Sequence, residues 1–405
     1  MVTAEFNPFT PEALADPYPM YRELLAHNPV SWSSTLQNWV FTRYEDVDTI
    51  LTHEHTSADR RSGSNTFAEM QRKYIEDNPK DLFVRAPTML TSDPPEHTRL
   101  RRLVSKAFTP RAIENLRPRI QDIVDELLTD VAGKGEMDLV QAVGYPLPVI
   151  VIAELLGVPT EDRRKFKEWS DDIVASLGGP FTPQDVLQTA AKARGELVEY
   201  LSGVIEDRRK NPQDDLISSL IAAEDEGTVL STQEIYSTTI LLLVAGNETT
   251  THLIDNGMLA LLKNPEQVQL LRDDPSLIKS AVEELLRFIG PVQATSRIIK
   301  EDLEVGGQSM KPRESAFVLL GAANHDPAKW GDDAHKLDVT RNPVDHVGLG
   351  DGIHFCLGAP LARAEAQIAI STLLDRFPKL KLAVDEPEWG GTFIIRGVKS
   401  LPLTF

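Results

Sequence analysis

Cysteine is nearly absent from this chain: Cys356 is the single one in 405 residues. An intrachain disulfide is thereby excluded, and a zinc site of the usual kind is disfavoured, since it draws on several Cys or His ligands at short spacings. One thiol fits a reducing compartment. Long apolar runs are missing too. Val149–Ala153 and Ile240–Ala245 are the longest, far short of the roughly 20 residues a bilayer-spanning helix needs. The opening residues carry neither the basic nor the apolar region of a secretory signal, so a cytoplasmic protein without membrane contact is expected. Positive charge is scarce, with 42 Lys+Arg against 61 Asp+Glu and a net charge of −19, which disfavours a nucleic-acid partner. No repeat, low-complexity tract or Gly/Ser linker divides the chain. Residues 1–405 therefore read as one domain, with 41% hydrophobic residues available for its core.

What is present is mainly helical periodicity. Small β-rich portions are expected over about 27–60, with Val30-Ser31-Trp32 and Trp39-Val40-Phe41 as a hairpin, and over about 298–320. Residues 61–92 show no clear period and read as a long loop over a pocket. Ser231 with Glu234 three residues on is a capping box, and Lys263-Asn264-Pro265 is a stop. They bracket a helix of about 32 residues, roughly 48 Å long, apolar nearly all round from Ile240 to Ala245 and hence buried.

That helix is interrupted. Ala245-Gly246-Asn247-Glu248-Thr249-Thr250-Thr251 places a carboxylate and hydroxyls in a buried run, where a desolvated polar group is costly unless something polar is near. Glycine lets a ligand lie against the backbone, and a threonine hydroxyl bonded to the i−4 carbonyl opens the helix. A groove is expected. The plainer alternative is a kinked helix whose polar groups satisfy one another.

The lone thiol sits in Leu349-Gly350-Asp351-Gly352-Ile353-His354-Phe355-Cys356-Leu357-Gly358, ahead of a helix with Pro360 in its first turn. A free cysteine is ordinarily a small buried apolar residue. So many glycines around it are a costly way to build a core contact. A nucleophilic thiol is disfavoured because His354 lies at i−2, which seldom faces i. The remaining reading is a metal-binding thiolate, its sulfur facing free amides and the positive end of a helix, both of which lower a thiol's pKa.

Upstream, His97 and Arg101 share one face of a helix capped by Asp93 with Pro94 at its first position, a pair that by itself marks only a solvated surface. Glu284 and Arg287 form an i,i+3 pair worth a few tenths of a kcal/mol if exposed.

Taken together, these segments resemble the cytochrome P-450 superfamily. Gly352, His354, Cys356 and Gly358 match its haem-binding loop, with Leu349 where the family usually has phenylalanine, a change that alters packing beside the sulfur. Ala245, Gly246, Glu248 and Thr249 match its oxygen-activating helix. The resemblance implies a mainly α fold with small β-sheets, haem b (iron protoporphyrin IX) held between the central helix and the cysteine loop, and Cys356 as axial metal ligand. It assigns the haem propionates to His97, Arg101, Arg297 and His354. Gly246, beside Ala245, would leave room for O2, with Thr249 hydrogen-bonding it and Glu248 relaying protons. Glu284, Arg287 and Arg341 would form a structural triad.

The activity implied is a soluble bacterial-type monooxygenase hydroxylating an apolar small molecule: a steroid, terpenoid, fatty acid or aromatic compound. The pocket would be lined by the 61–92 loop, Ile173 to Phe181, Leu242, Ala245, Val292, Ala294, Phe393 and Ile394. With no reductase fused to the chain, electrons would come from a ferredoxin and ferredoxin reductase docking on a monomer near Arg99, Arg102, Lys106 and Arg111. The rivals are a peroxide-driven haem enzyme, a haem sensor or carrier and, more distantly, a cysteine hydrolase.

Overall fold

The computed structural model describes residues 6–79, 81, 86–159, 162–176, 182–225 and 227–405. Its frame is the helix Thr232–Lys263, which starts at the capping box: Ser231 Oγ accepts from Glu234 N, and the Glu234 carboxylate accepts from Ser231 N at 2.7 Å. Both orphan donors of the first turn are thereby satisfied. The helix is buried along most of its length. It packs against the helices Pro146–Leu155, Arg163–Ala175, Ile278–Ile289 and Ala359–Arg376. Leu100, Phe166, Leu243, Leu285 and Ile370 belong to the main apolar core that these helices share.

A five-stranded sheet lies to one side, with strands in the spatial order Val30–Ser33, Asn38–Phe41, Ser315–Leu319, Ala294–Ile299 and Thr56–Ser57. The expected hairpin is its edge, with Val30 opposite Phe41 and Trp32 opposite Trp39. Smaller pairings join Glu136–Asp138, Lys381–Leu382 and Pro402–Thr404, and Trp389–Gly391 with Arg396–Val398.

Two local expectations change. Residues 61–92 are not one loop, because Thr66–Asp77 is a helix whose Asn65 side chain accepts from Ala68 N at 2.9 Å. Its charges fall on the exposed side, which hid the period. The expected lining residues Leu82, Phe83 and 177–181 lie outside the described residues. Asp93 does not cap the next helix, which spans Glu96–Ala107 with Pro95 at its N-cap. Its carboxylate instead accepts from Ala58 N at 2.9 Å, tying the chain before that helix to the end of the sheet.

Candidate active site

The cysteine loop is built by its glycines. Gly350 and Gly352 have φ of 73° and 66°, a region costly for other residues. A Cβ on Gly352 would also sit 3.3 Å from Leu51 O. The turn carries Cys356 N to Leu349 O, 2.9 Å away, so the odd residue Leu349 serves through its carbonyl. The helix Ala359–Arg376 follows, with Pro360 in its first turn. The amides of Gly358 and Ala359 point at the sulfur as expected, and with Arg101 and Arg363 they favour the thiolate. Burial nevertheless dominates and pushes the thiol's pKa up. This direction is opposite to the lowering expected from the amides; a cation bonded to sulfur would favour the thiolate.

Beside this loop the structure gathers basic side chains. His97 is 2% exposed, and neither ring nitrogen has a hydrogen-bond partner among the described residues. Its ring stands 4.3 Å from that of His354. Arg297, 6% exposed, donates among the described residues to its neighbour's carbonyl, Ser296 O, at 3.1 Å. Burial, then the nearby Arg60, push it down to about 10. Burial, then Arg297 and His97, push His354 down to about 4. Burial and Arg101 lower His97 as well. Such repulsion in a buried cluster, with no bonded carboxylate among the described residues, calls for an anion. The donor set fits a group carrying two carboxylates above a thiolate-bound metal, as haem does.

Arg60 belongs to this cluster and was not legible in the sequence. It donates to Ser296 Oγ at 3.0 Å and Thr295 Oγ1 at 3.1 Å. The adjacent Asp59 is taken by Arg61 through a two-pronged pair at 2.7 and 2.8 Å. An Arg-Arg doublet offers no local sign of which member turns inward.

On the central helix, Ala245 is exposed and Gly246, Glu248 and Thr249 are half-buried, while Leu241–Val244, Asn247 and Thr250–Leu261 are buried. These four residues line an open strip in the middle of the helix, between buried turns on either side, and a Cβ on Gly246 would meet nothing within 4 Å. Thr249 Oγ1 donates to Ala245 O at 2.7 Å, the expected back-bond. Glu248 Oε1 lies 3.6 Å from His252 Nε2.

The lining residues divide. Val292 and Ile394 are half-buried and sit where Val292 bridges Ile395. Ala294 and Phe393 are buried in a cluster with Phe6, Tyr21 and Phe317, and Leu242 in the main core. The triad assembles: Arg287 donates to both Glu284 oxygens at 2.7 Å and to the carbonyls of Asn324, Ala334 and Lys336. Arg341 reaches Glu284 at 3.4 Å. With Glu284 and Arg287 at 0% and 1% exposure, this is no surface pair. Arg99, expected to greet a redox partner, is instead committed to Glu96 and Glu234.

A family model described as Cytochrome P450 matches residues 30–388. The chain belongs to this family. A cytochrome P450 of Priestia megaterium is 44% identical over 409 residues, covering 98% of this chain and 98% of that protein. Vitamin D(3) 25-hydroxylase of Pseudonocardia autotrophica is 42% identical over 408 residues, covering 99% and 97%. The solved structure of a myxobacterial cytochrome P450 in complex with myristic acid is similar at a TM-score of 0.88, with 40% identity and 98% of each chain covered. The P450 fold inferred from the sequence is therefore the fold observed, and the protein is an oxidoreductase of the P450 monooxygenase class.

Proposed function

We propose that this cytochrome P450 hydroxylates an elongated apolar small molecule, of the steroid, terpenoid, fatty-acid or aromatic kind, using O2 and two electrons from a separate ferredoxin and its reductase. The observation that carries the reading is the strip Ala245, Gly246, Glu248 and Thr249, which opens at the polar break in the middle of the central helix, between buried turns on either side. The vitamin D(3) hydroxylase and the myristic acid complex among its relatives support an extended apolar substrate. On this reading residues 1–405 form a single cytoplasmic, monomeric catalytic domain.

Haem b would be held by Cys356 at the metal and by His97, Arg101, Arg297 and His354 at its carboxylates. When bound, it supplies the redox chemistry that activates O2. The chain does the rest. Ala245 and Gly246 leave a smooth wall against which a substrate can lie, and Val292 and Ile394 add apolar surface. The Thr249 hydroxyl, anchored on Ala245 O, is fixed to orient a small polar guest, and the Glu248 carboxyl beside it can supply protons. That acid and hydroxyl favour O2 over peroxide as the oxidant, since peroxide arrives already carrying its protons.

The test is the difference spectrum of dithionite-reduced protein with and without carbon monoxide. The long-wavelength Soret band of a thiolate ligand is expected, and its loss in Cys356→Ser. A short-wavelength band in wild-type protein would overturn the assignment. Turnover with hydrogen peroxide but not with NADPH and redox partners would replace monooxygenase by peroxygenase.

A further inference from the structure

Arg60 follows the short strand Thr56–Ser57, which pairs with Ala294–Ile299 so that Ser57 lies opposite Ile298. Its guanidinium returns along that partner strand. Nε donates to Ser296 Oγ at 3.0 Å and Nη2 to Thr295 Oγ1 at 3.1 Å, which fixes the plane of the group. Nη1 donates to nothing among the described residues, and neither hydroxyl has an acceptor there for its own proton. Arg60 lies deep in the molecule, where burial lowers its pKa, yet its own surface is only half-covered. A side chain that is deep and uncovered at once borders an internal cavity. Thr295 and Ser296 are half-buried as well, whereas Arg297, Ile298 and Ile299 beyond them are buried.

We propose that Arg60, with Thr295 and Ser296, binds the carboxylate of a fatty-acid substrate, an inference that rests on the monooxygenase reading and selects one of its substrate classes. One N–H and two O–H groups are left as donors around a fixed positive charge. A carboxylate brings two acceptor oxygens and the opposite charge. A neutral steroid, terpenoid or aromatic compound offers no such charge. Val292, three residues before Thr295, begins the apolar surface that the tail of the acid requires. Holding the acid at one end limits which carbons reach the strip at Ala245 and Gly246, so hydroxylation falls within a narrow range of positions.

The haem carboxylates leave this group available. Arg101 and Arg297, with His97 and His354, are the donors for two carboxylates, and Arg60 is a third guanidinium, whose charge weighs on Arg297. The neighbouring acids are engaged. Asp59 is held by both prongs of Arg61. Asp93 acts on Arg297 and accepts from Ala58 N.

The experiment is a spectral titration of haem-loaded protein with myristic acid and with its methyl ester, which share a tail and differ in charge. Wild-type protein should bind the acid at least ~10-fold more tightly than the ester. In Arg60→Gln that preference should vanish through loss of acid affinity, with ester affinity unchanged and a wider spread of hydroxylated positions. Arg60→Lys, which keeps the charge, should retain most of the preference. No binding of the acid, equal affinities in wild-type protein, or equal weakening of acid and ester in Arg60→Gln would overturn the proposal. So would a shifted reduction potential in Arg60→Gln with the acid preference intact, because the guanidinium would then serve the haem. Should Arg60→Gln fail to hold haem, Thr295→Val takes its place. It removes one hydroxyl while the Arg60 bond to Ser296 remains, and it should lower the acid preference; an unchanged preference overturns the proposal. The monooxygenase reading fails separately, if wild-type protein hydroxylates neither probe with NADPH, ferredoxin and reductase. The acid-over-ester comparison is an equilibrium measurement and decides the role of Arg60 in either case.

Discussion

Single residues in this protein are governed by what burial does to their charge. Glu283 makes the point away from the redox centre. Burial alone would raise its pKa, yet hydrogen bonds from His346 at 3.1 Å and Arg363 at 2.6 and 2.7 Å hold it at about 2, against an ordinary 4.5. A depressed carboxylate contributes stability that is complete above its unfolded pKa and is lost as the pH falls through the folded one. The window is thus pH 4.5 to 2, and the contribution is about 3 kcal/mol. Glu283 joins the helix Ile278–Ile289 to Arg363 in the helix that follows Cys356. Glu283→Gln should therefore flatten the acid limb of a stability-against-pH curve measured by urea unfolding, and should lower stability at pH 7. A second residue-scale expectation concerns the strip. Ala245→Leu fills the open side of the helix, so binding of myristic acid, followed by its spectral titration, should weaken ~10-fold or more.

Elements are held by their ends. The central helix exists as one piece because its first turn is closed by Ser231 and Glu234 and tied by Arg99 to the neighbouring helix. Ser231→Ala should cost ~1 kcal/mol, visible in the urea midpoint with the carbon monoxide band unaltered. Glu234→Ala removes both the cap and the Arg99 tie, so it should cost more. This helix was readable from its pattern to the residue, because capping box, stop and apolar run all act locally. The helix Thr66–Asp77 was not, since its mean composition is polar and its stability comes from packing and the Asn65 cap. The misplaced start at Asp93 has the same origin. A carboxylate before a helix serves as a cap only if no other donor claims it, and here Ala58 N does.

The whole molecule is bolted by the triad. Arg287 spends all five of its N–H donors, on Glu284 and on three carbonyls between 324 and 336. Arg341 adds Asp333 at 3.1 Å and Trp330 O at 3.2 Å. Arg287→Ala would leave the buried Glu284 with only the longer Arg341 contact at 3.4 Å and the Asp338 amide, and would uncouple the helix from the segment leading to the cysteine loop, at a cost of about 3 kcal/mol. Little folded, haem-loaded protein should be recovered, judged by yield and by the ratio of haem to protein absorbance.

The sequence by itself determined the family, the central helix and its polar break, the thiol and its glycine turn, and the residue types around them. These are properties of spacing along the chain, and spacing survives without coordinates. Tertiary structure alone decided the electrical state of the site. It turned Arg60 inward beside Arg297, left the His97 ring nitrogens without a hydrogen-bond partner among the described residues, and let burial oppose the amides at Cys356. It also sent Ala294 and Phe393 into the core. Each of these depends on how much water and which charges remain near a group after distant segments close around it, and desolvation is a property of the packed molecule.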